Sequence, residues 1–483
     1  MEPITAASPD LALTTITSKQ SRSRSHDAEH LRTTKTPSHH SVEEQPTAGA
    51  PPSGPELHDA IHPDGGLRAW LVVLGSFCFL FPTYGWMQSI GTVQTYLETH
   101  QLSAYTNRDV GWIPSVFTAL ALLLGIWIGP LFDRRGPTAL GIVGAALYAA
   151  HFFLLAECTT YWQFMLCLGL LGGIGAAIVS NVAMSVISNW FLRRRGLAMG
   201  IVLSGSSVGG TVVSIQLQSI FERLGWTWSI RIVGFIELAL LIVGNLCIRP
   251  NPRLAAVSRA APDPARDKKE KTKVIDFSAF RSGPFTLITV SLFAMEFVIF
   301  GATGLLPTYA AIAGFPPSAS FYVISILNAA SCFGRTLPGL AGDYFGPFNV
   351  LIVMLVFTLL SMLVVWLPFG GTYLVAFYVF AALWGFGTGS FLSLTPVCAG
   401  KTCDTKNFGR YFGTMYFVVS FSLFITIPLG GQMLQSVGTK ALPAFTSPSW
   451  DWAGSASCGR GGLFWVAAGL FVSRFKGEVI LSS

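Results

Sequence analysis

The chain has 483 residues, 51% of them hydrophobic and only 11% charged. A soluble domain carries about 25% charged residues, so this composition excludes a soluble globular protein and makes lipid the solvent for most of the chain. The net charge of +7 sits at the ends of apolar runs, which excludes nucleic acid as its reason.

Residues 1–66 are rich in Ser, Thr, Pro and His and contain no apolar core of a signal peptide. They are expected to form a disordered cytoplasmic tail. Apolar runs of about 20 residues then follow, the length a helix needs to cross a bilayer. The expected spans are 70–97, 110–132, 138–157, 161–190, 197–221, 227–248, 285–313, 320–342, 349–369, 372–399, 409–436 and 460–480. The last is shorter, carries Arg474 and Lys476, and follows an atypical Trp/Ser/Gly stretch at 448–462. Period-2 alternation, the mark of a membrane barrel, is absent. The fold expected is an all-α membrane protein of twelve helices. A polar linker, 249–283, divides it into a first half, 67–248, and a second, 284–483. With the N-terminus inside, cytoplasmic segments hold 25 Lys and Arg against 4 outside, so both termini are expected in the cytoplasm.

Charge and glycine return at a fixed offset. "GPLFDRRG" (129–136) and "GLAGDYFG" (339–346) share G-x-x-x-D-x-x-G. These segments close the second and eighth spans and contribute Gly129, Asp133, Arg134 and Gly136, then Gly339, Asp343 and Gly346. "RRRGLAMG" (193–200) and "KNFGRYFG" (406–413) open the fifth and eleventh. Two motif pairs at nearly one spacing predict two pseudo-symmetric six-helix halves that rock about a central site. Glycine lets helices approach closely, and an Asp is favoured at a neighbouring helix N-terminus. The motifs are therefore read as a conformational gate.

These motifs resemble the loop 2–3 signature of the major facilitator superfamily and its weaker second copy. "PDGGLRAW" (63–70), "NWFLRRRGLAMG" (189–200), "SGSSVGG" (204–210) and "SILNAASCFGR" (325–335) resemble the monocarboxylate porter family, especially its fungal branch. The resemblance implies a secondary carrier moving an organic, possibly carboxylated, metabolite by alternating access with proton coupling. Efflux of a secondary metabolite is favoured slightly over uptake of a monocarboxylate or a vitamin such as riboflavin. A non-transporting nutrient receptor on the same scaffold is the rival from another class. A monomer in the plasma membrane is expected. Animal proton–monocarboxylate cotransporters carry a Lys on helix one, and on helix eight an Asp followed four residues later by an Arg. Those positions fall on Gln88, Ser331 and Arg335, which argues against lactate-type uptake by that chemistry.

Ionisable groups at membrane depth are costly and usually functional. Glu296 in "LFAMEFVIF" is the candidate proton-coupling group, its alternative being a structural Glu neutralised by a hydroxyl. Arg335 in "CFGRTLPG" is the candidate for a substrate carboxylate, its alternative a helix-packing tie. Glu237 and His151 are read as structural. Tyr84, Gln88, Asn181, Asn328, Ser331 and Trp384 complete the set, suited to a larger, partly apolar solute. No cofactor or metal is expected: no CxxC pair or P-loop is present, and "GSSVG" lies inside a helix rather than at a hydrolase elbow. An enzyme is therefore not expected.

Overall fold

A computed structural model describes residues 63–253, 277–402 and 408–437. Its helices are α1 Leu67–Thr99, α2 built from Asn107–Leu123 and Gly125–Arg135, α3 Pro137–Leu155, α4 Tyr161–Trp190, α5 Arg195–Phe221 and α6 Arg223–Cys247. After a short turn of 3-10 helix at Phe277–Arg281 come α7 Gly283–Ile312, α8 Pro317–Phe345, α9 Pro347–Phe369, α10 Leu374–Lys401 and α11 Phe408–Val437. The ends of the eleven helices all lie within four residues of the expected ones. The twelfth span, 460–480, the tail before residue 63 and most of the linker lie outside the described residues.

Among the described residues, nine helices are long and apolar enough to cross a membrane. Their lengths follow from the solvent: each backbone amide in hydrocarbon must pair within its own helix. α6 and α9 bury only 33% of their apolar windows and expose Phe235, Ile236, Val353 and Val364. Those faces suit contact with lipid rather than with protein. α4 and α9 each contain a π-helical stretch, Met165–Gly172 and Met362–Trp366. Only Gly225, at φ 67°, interrupts the helical path from α5 to α6.

Turn chemistry explains the last glycine of each repeated motif. Gly136 and Gly346 end α2 and α8 at φ 75° and 85°, in the left-handed region that suits glycine. No atom lies within 4 Å of where a Cβ on Gly136 would be, so the cost of a side chain there is conformational alone. Gly136→Ala is expected to cost about 1–2 kcal/mol, read as a lower melting temperature in detergent. An unchanged melting temperature would contradict this.

Packing between the earlier and later helices concentrates on two pairs, α2 with α11 and α5 with α8. Both pairs meet at the end of the bundle that carries the α2–α3 and α8–α9 turns, called here the motif end.

Candidate functional site

At the motif end the two repeated aspartates do the same thing in opposite directions. Asp343, at the end of α8, accepts hydrogen bonds from the backbone N–H of Gly196 (2.7 Å) and Leu197 (2.8 Å) at the start of α5. Asp133, at the end of α2, accepts from the N–H of Arg410 (3.0 Å) at the start of α11. A helix start leaves its first N–H groups unpaired and carries partial positive charge, so each carboxylate neutralises a terminus in the other group of helices.

The glycines make this approach possible. A Cβ on Gly339 would stand 2.5 Å from the carbonyl oxygen of Gly196. One on Gly129 would collide with the carbonyl of Gly409, and one on Gly200 with that of Arg335. α8 therefore presents Arg335, Gly339 and Asp343, four residues apart, as one stripe against α5. α2 presents Gly125, Gly129 and Asp133 against α11 in the same register, so Gly125 occupies the place that Arg335 holds on α8.

Arg335 uses that difference. Its guanidinium donates to the carbonyl of Leu203 (2.6 Å) and to the hydroxyl of Ser206, both on α5. It is 4% exposed, so in this state it ties helices together rather than lining an open surface. Ser206, in the "SGSSVGG" stretch, serves through its hydroxyl as a partner for Arg335.

Glu296, on α7, is 3% exposed, and its Oε2 has no hydrogen-bond partner. Arg335 lies within electrostatic reach of it. So do Tyr84 of α1, which pairs with the Ser180 hydroxyl of α4, and Tyr416 of α11. Two bonded pairs, Ser180–Tyr84 and Arg335–Ser206, thus flank Glu296 within electrostatic reach and with Tyr416 alongside, a discontinuous polar string. Ser180, Tyr416 and Ser206 were not singled out as partners from the sequence. A serine or tyrosine in a membrane helix carries no local sign of what it will face.

The other candidates occupy two further places. Gln88 of α1 and Asn328 of α8 converge on Gly210 of α5, beside the string. Asn181 of α4 donates to the Ala177 carbonyl (2.8 Å) and leans over Gly125 and Gly413, where α2 meets α11. Ser331 packs against Gly389 of α10. Trp384, by contrast, faces Thr358, Leu359 and Met362 of α9 together with Met295 and Val298. It packs on the α10 face that turns toward α9, against the residues of α7 that flank Glu296. Arg134 lies beside Asp133 at the end of α2. Glu237 is fully buried with both oxygens unpartnered, near Tyr148. His151 bonds the Tyr148 carbonyl through Nδ1. Among the described residues, no group of three metal-ligating side chains occurs.

A family model described as Major Facilitator Superfamily matches residues 69–427. The riboflavin transporter MCH5 of Saccharomyces cerevisiae is 35% identical over 391 residues, covering 78% of this chain and 74% of that protein. The fujikurins efflux protein of Gibberella fujikuroi is 33% identical over 386 residues, covering 79% of each. The crystal structure of the human organic anion transporter MFSD10 superposes with a TM-score of 0.63 at 13% identity, over 84% of this chain and 100% of that one. That likeness is one of fold.

Proposed function

The chain belongs to the major facilitator superfamily, and on that premise we propose that it is a proton-coupled secondary carrier exporting an organic, partly apolar metabolite. The reciprocal docking of Asp133 on α11 and Asp343 on α5 carries this reading. These carboxylate bonds join the two groups of helices at the motif end and must break for that end to open, as alternating access requires. The two groups are the six-helix halves 67–248 and 284–483. The lysine and arginine distribution supports a cytoplasmic motif end, and on this reading the present state is closed on that side. The plasma membrane is the proposed location and a monomer the working unit.

Export is favoured because a relative covering most of the chain is an efflux protein for a fungal metabolite. Uptake is the second reading, favoured by the riboflavin transporter. Inside-out and right-side-out vesicles loaded with labelled riboflavin or with candidate organic acids distinguish the two by the direction in which a proton gradient drives flux. Flux of none of them, with intact protein, would favour a receptor.

Glu296 loads and releases the proton, and the amides and phenols around it, Tyr84, Gln88 and Asn328, contact the solute. Arg335 alternates between two partners: α5 in the present state and an acidic group of the solute when the contact loosens. Arg335→Lys keeps the charge but loses the planar, two-pronged donor that would grip a carboxylate. It is expected to raise the apparent KM for an acidic solute by about tenfold, which corresponds to roughly 1.4 kcal/mol. Unchanged flux and KM would remove Arg335 from solute binding.

A further inference from the structure

α5 begins without a cap of its own. The residue at its N-cap, Arg194, makes no side-chain capping bond. The N–H groups leading into and opening the helix go instead to two carboxylates from elsewhere in the chain. Asp343 takes Gly196 and Leu197. Asp64, three residues before α1, takes the other three: its Oδ1 accepts from Leu192 (2.7 Å), Arg193 (2.8 Å) and Arg194 (3.2 Å). Its own N–H donates to the Trp190 carbonyl at 3.3 Å.

Asp64 is held to this task. It is the non-glycine residue with positive φ among those described, at 48°, a conformation that Asp and Asn tolerate better than most residues. The α4–α5 turn it grips is fixed from two further sides. The Trp190 indole donates to the Arg249 carbonyl (3.0 Å), and the Asn251 amide to the Asn189 carbonyl (2.7 Å). Phe191 packs edge-on against Trp70 of α1, with ring centroids 5.4 Å apart. All these contacts lie within residues 64–251, so they persist when α8 moves. From the later helices Asp343 supplies the carboxylate, while Gly339 and Phe408 pack against Gly196 and Arg195 of the first turn of α5.

We infer that Asp64 is a positioning residue of the gate: it holds the α4–α5 turn so that the N–H groups of Gly196 and Leu197 stay aimed at the place where Asp343 docks. Without it, three exposed N–H groups exchange a fixed carboxylate for mobile water, the turn relaxes, and the two donors must be ordered each time the gate closes. Docking then costs entropy that the intact turn has already lost. Asp64 also lies within electrostatic reach of Asp343, so two like charges share one helix terminus, and the latch stays weak enough to open in each cycle.

This inference rests on the gate reading of the Asp343 contact, and its test needs no solute. Spin labels at Ala139 and Tyr344, carried by noncanonical residues on the full chain in lipid nanodiscs, report the distance across the motif end. Asp64→Gly suits the backbone conformation and removes the acceptor. It is expected to lower the ratio of closed to open molecules by roughly tenfold, within the range of allosteric couplings. In a chain already carrying Asp343→Asn it should change that ratio less than twofold, because the two residues act through one contact. Asp64→Asn keeps an oxygen acceptor and should restore most of the closed population. Should the glycine variant not accumulate, the asparagine variant takes its place in the cycle, with a smaller shift in the wild-type background and none beside Asp343→Asn. Equal effects of Asp64 substitution in both backgrounds would overturn the inference. So would a closed population unaffected by Asp64→Gly while Asp343→Asn opens the end. A distance that no variant moves, Asp343→Asn included, would overturn the gate reading as well.

Discussion

Gly339→Leu is expected to abolish transport while leaving the protein in the membrane. A Cβ alone at this position would stand 2.5 Å from the Gly196 carbonyl oxygen, and that oxygen belongs to backbone that cannot swing aside. A leucine adds three further carbons. α5 and α8 must then separate by more than an ångström, which removes both Asp343 hydrogen bonds and the Arg335 bond to Leu203. Charge-assisted bonds contribute about 1.5–3 kcal/mol each, so the state closed at the motif end becomes inaccessible and turnover falls by at least about 100-fold. Nothing within either half needs to change, so the variant should melt near the wild-type temperature. Labelled solute flux in reconstituted vesicles reads the effect. Flux within a few-fold of wild type would mean that these helices need not come together during transport.

Glu296→Gln is expected to separate the proton from the solute. The carboxyl sits at 3% exposure on α7, with one oxygen unpartnered. Its charged form there is costly unless an ion pair or hydrogen bonds compensate it. The neighbouring guanidinium supplies only part of that compensation, since it is already engaged by Leu203 and Ser206. On the proposed reading it takes up a proton from one side and releases it when water reaches it from the other. One pH unit across the membrane supplies about 1.4 kcal/mol, enough for roughly tenfold accumulation. With glutamine, accumulation should collapse to equality and the pH dependence of net flux should vanish, while one-for-one solute exchange continues. Retained pH-driven accumulation would exclude Glu296 as the proton site.

The positions of the helices were legible because lipid imposes one rule on every residue of a span. From Leu67 to Val437 each apolar run found its helix. The boundary between α5 and α6 was read as a gap of several residues; a single glycine, Gly225, makes it, and no local pattern distinguishes it from the many glycines inside helices. In the candidate site, Asp133 and Asp343 were legible because a repeat singles them out. Their partners lie 277 and 147 residues away, and only the second repeated pair, at the starts of α5 and α11, pointed there. Ser206, 129 residues from Arg335, and Asp64, some 130 residues from the turn it holds, had no such mark. Trp384 carries no mark of its surroundings either: aromatic character is equally suited to stacking on a solute and to filling the space between α9 and α10.

Two distances measured in one preparation test the central claim most directly: Ala139 to Tyr344 across the motif end, and Trp162 to Tyr373 across the other. Both pairs are exposed at the ends of their helices. The account predicts that Asp343→Asn lengthens the first and shortens the second in the same molecules, and that restoring the aspartate reverses both. Distances that stay fixed, or that lengthen together, would mean that the halves do not rock about a common centre.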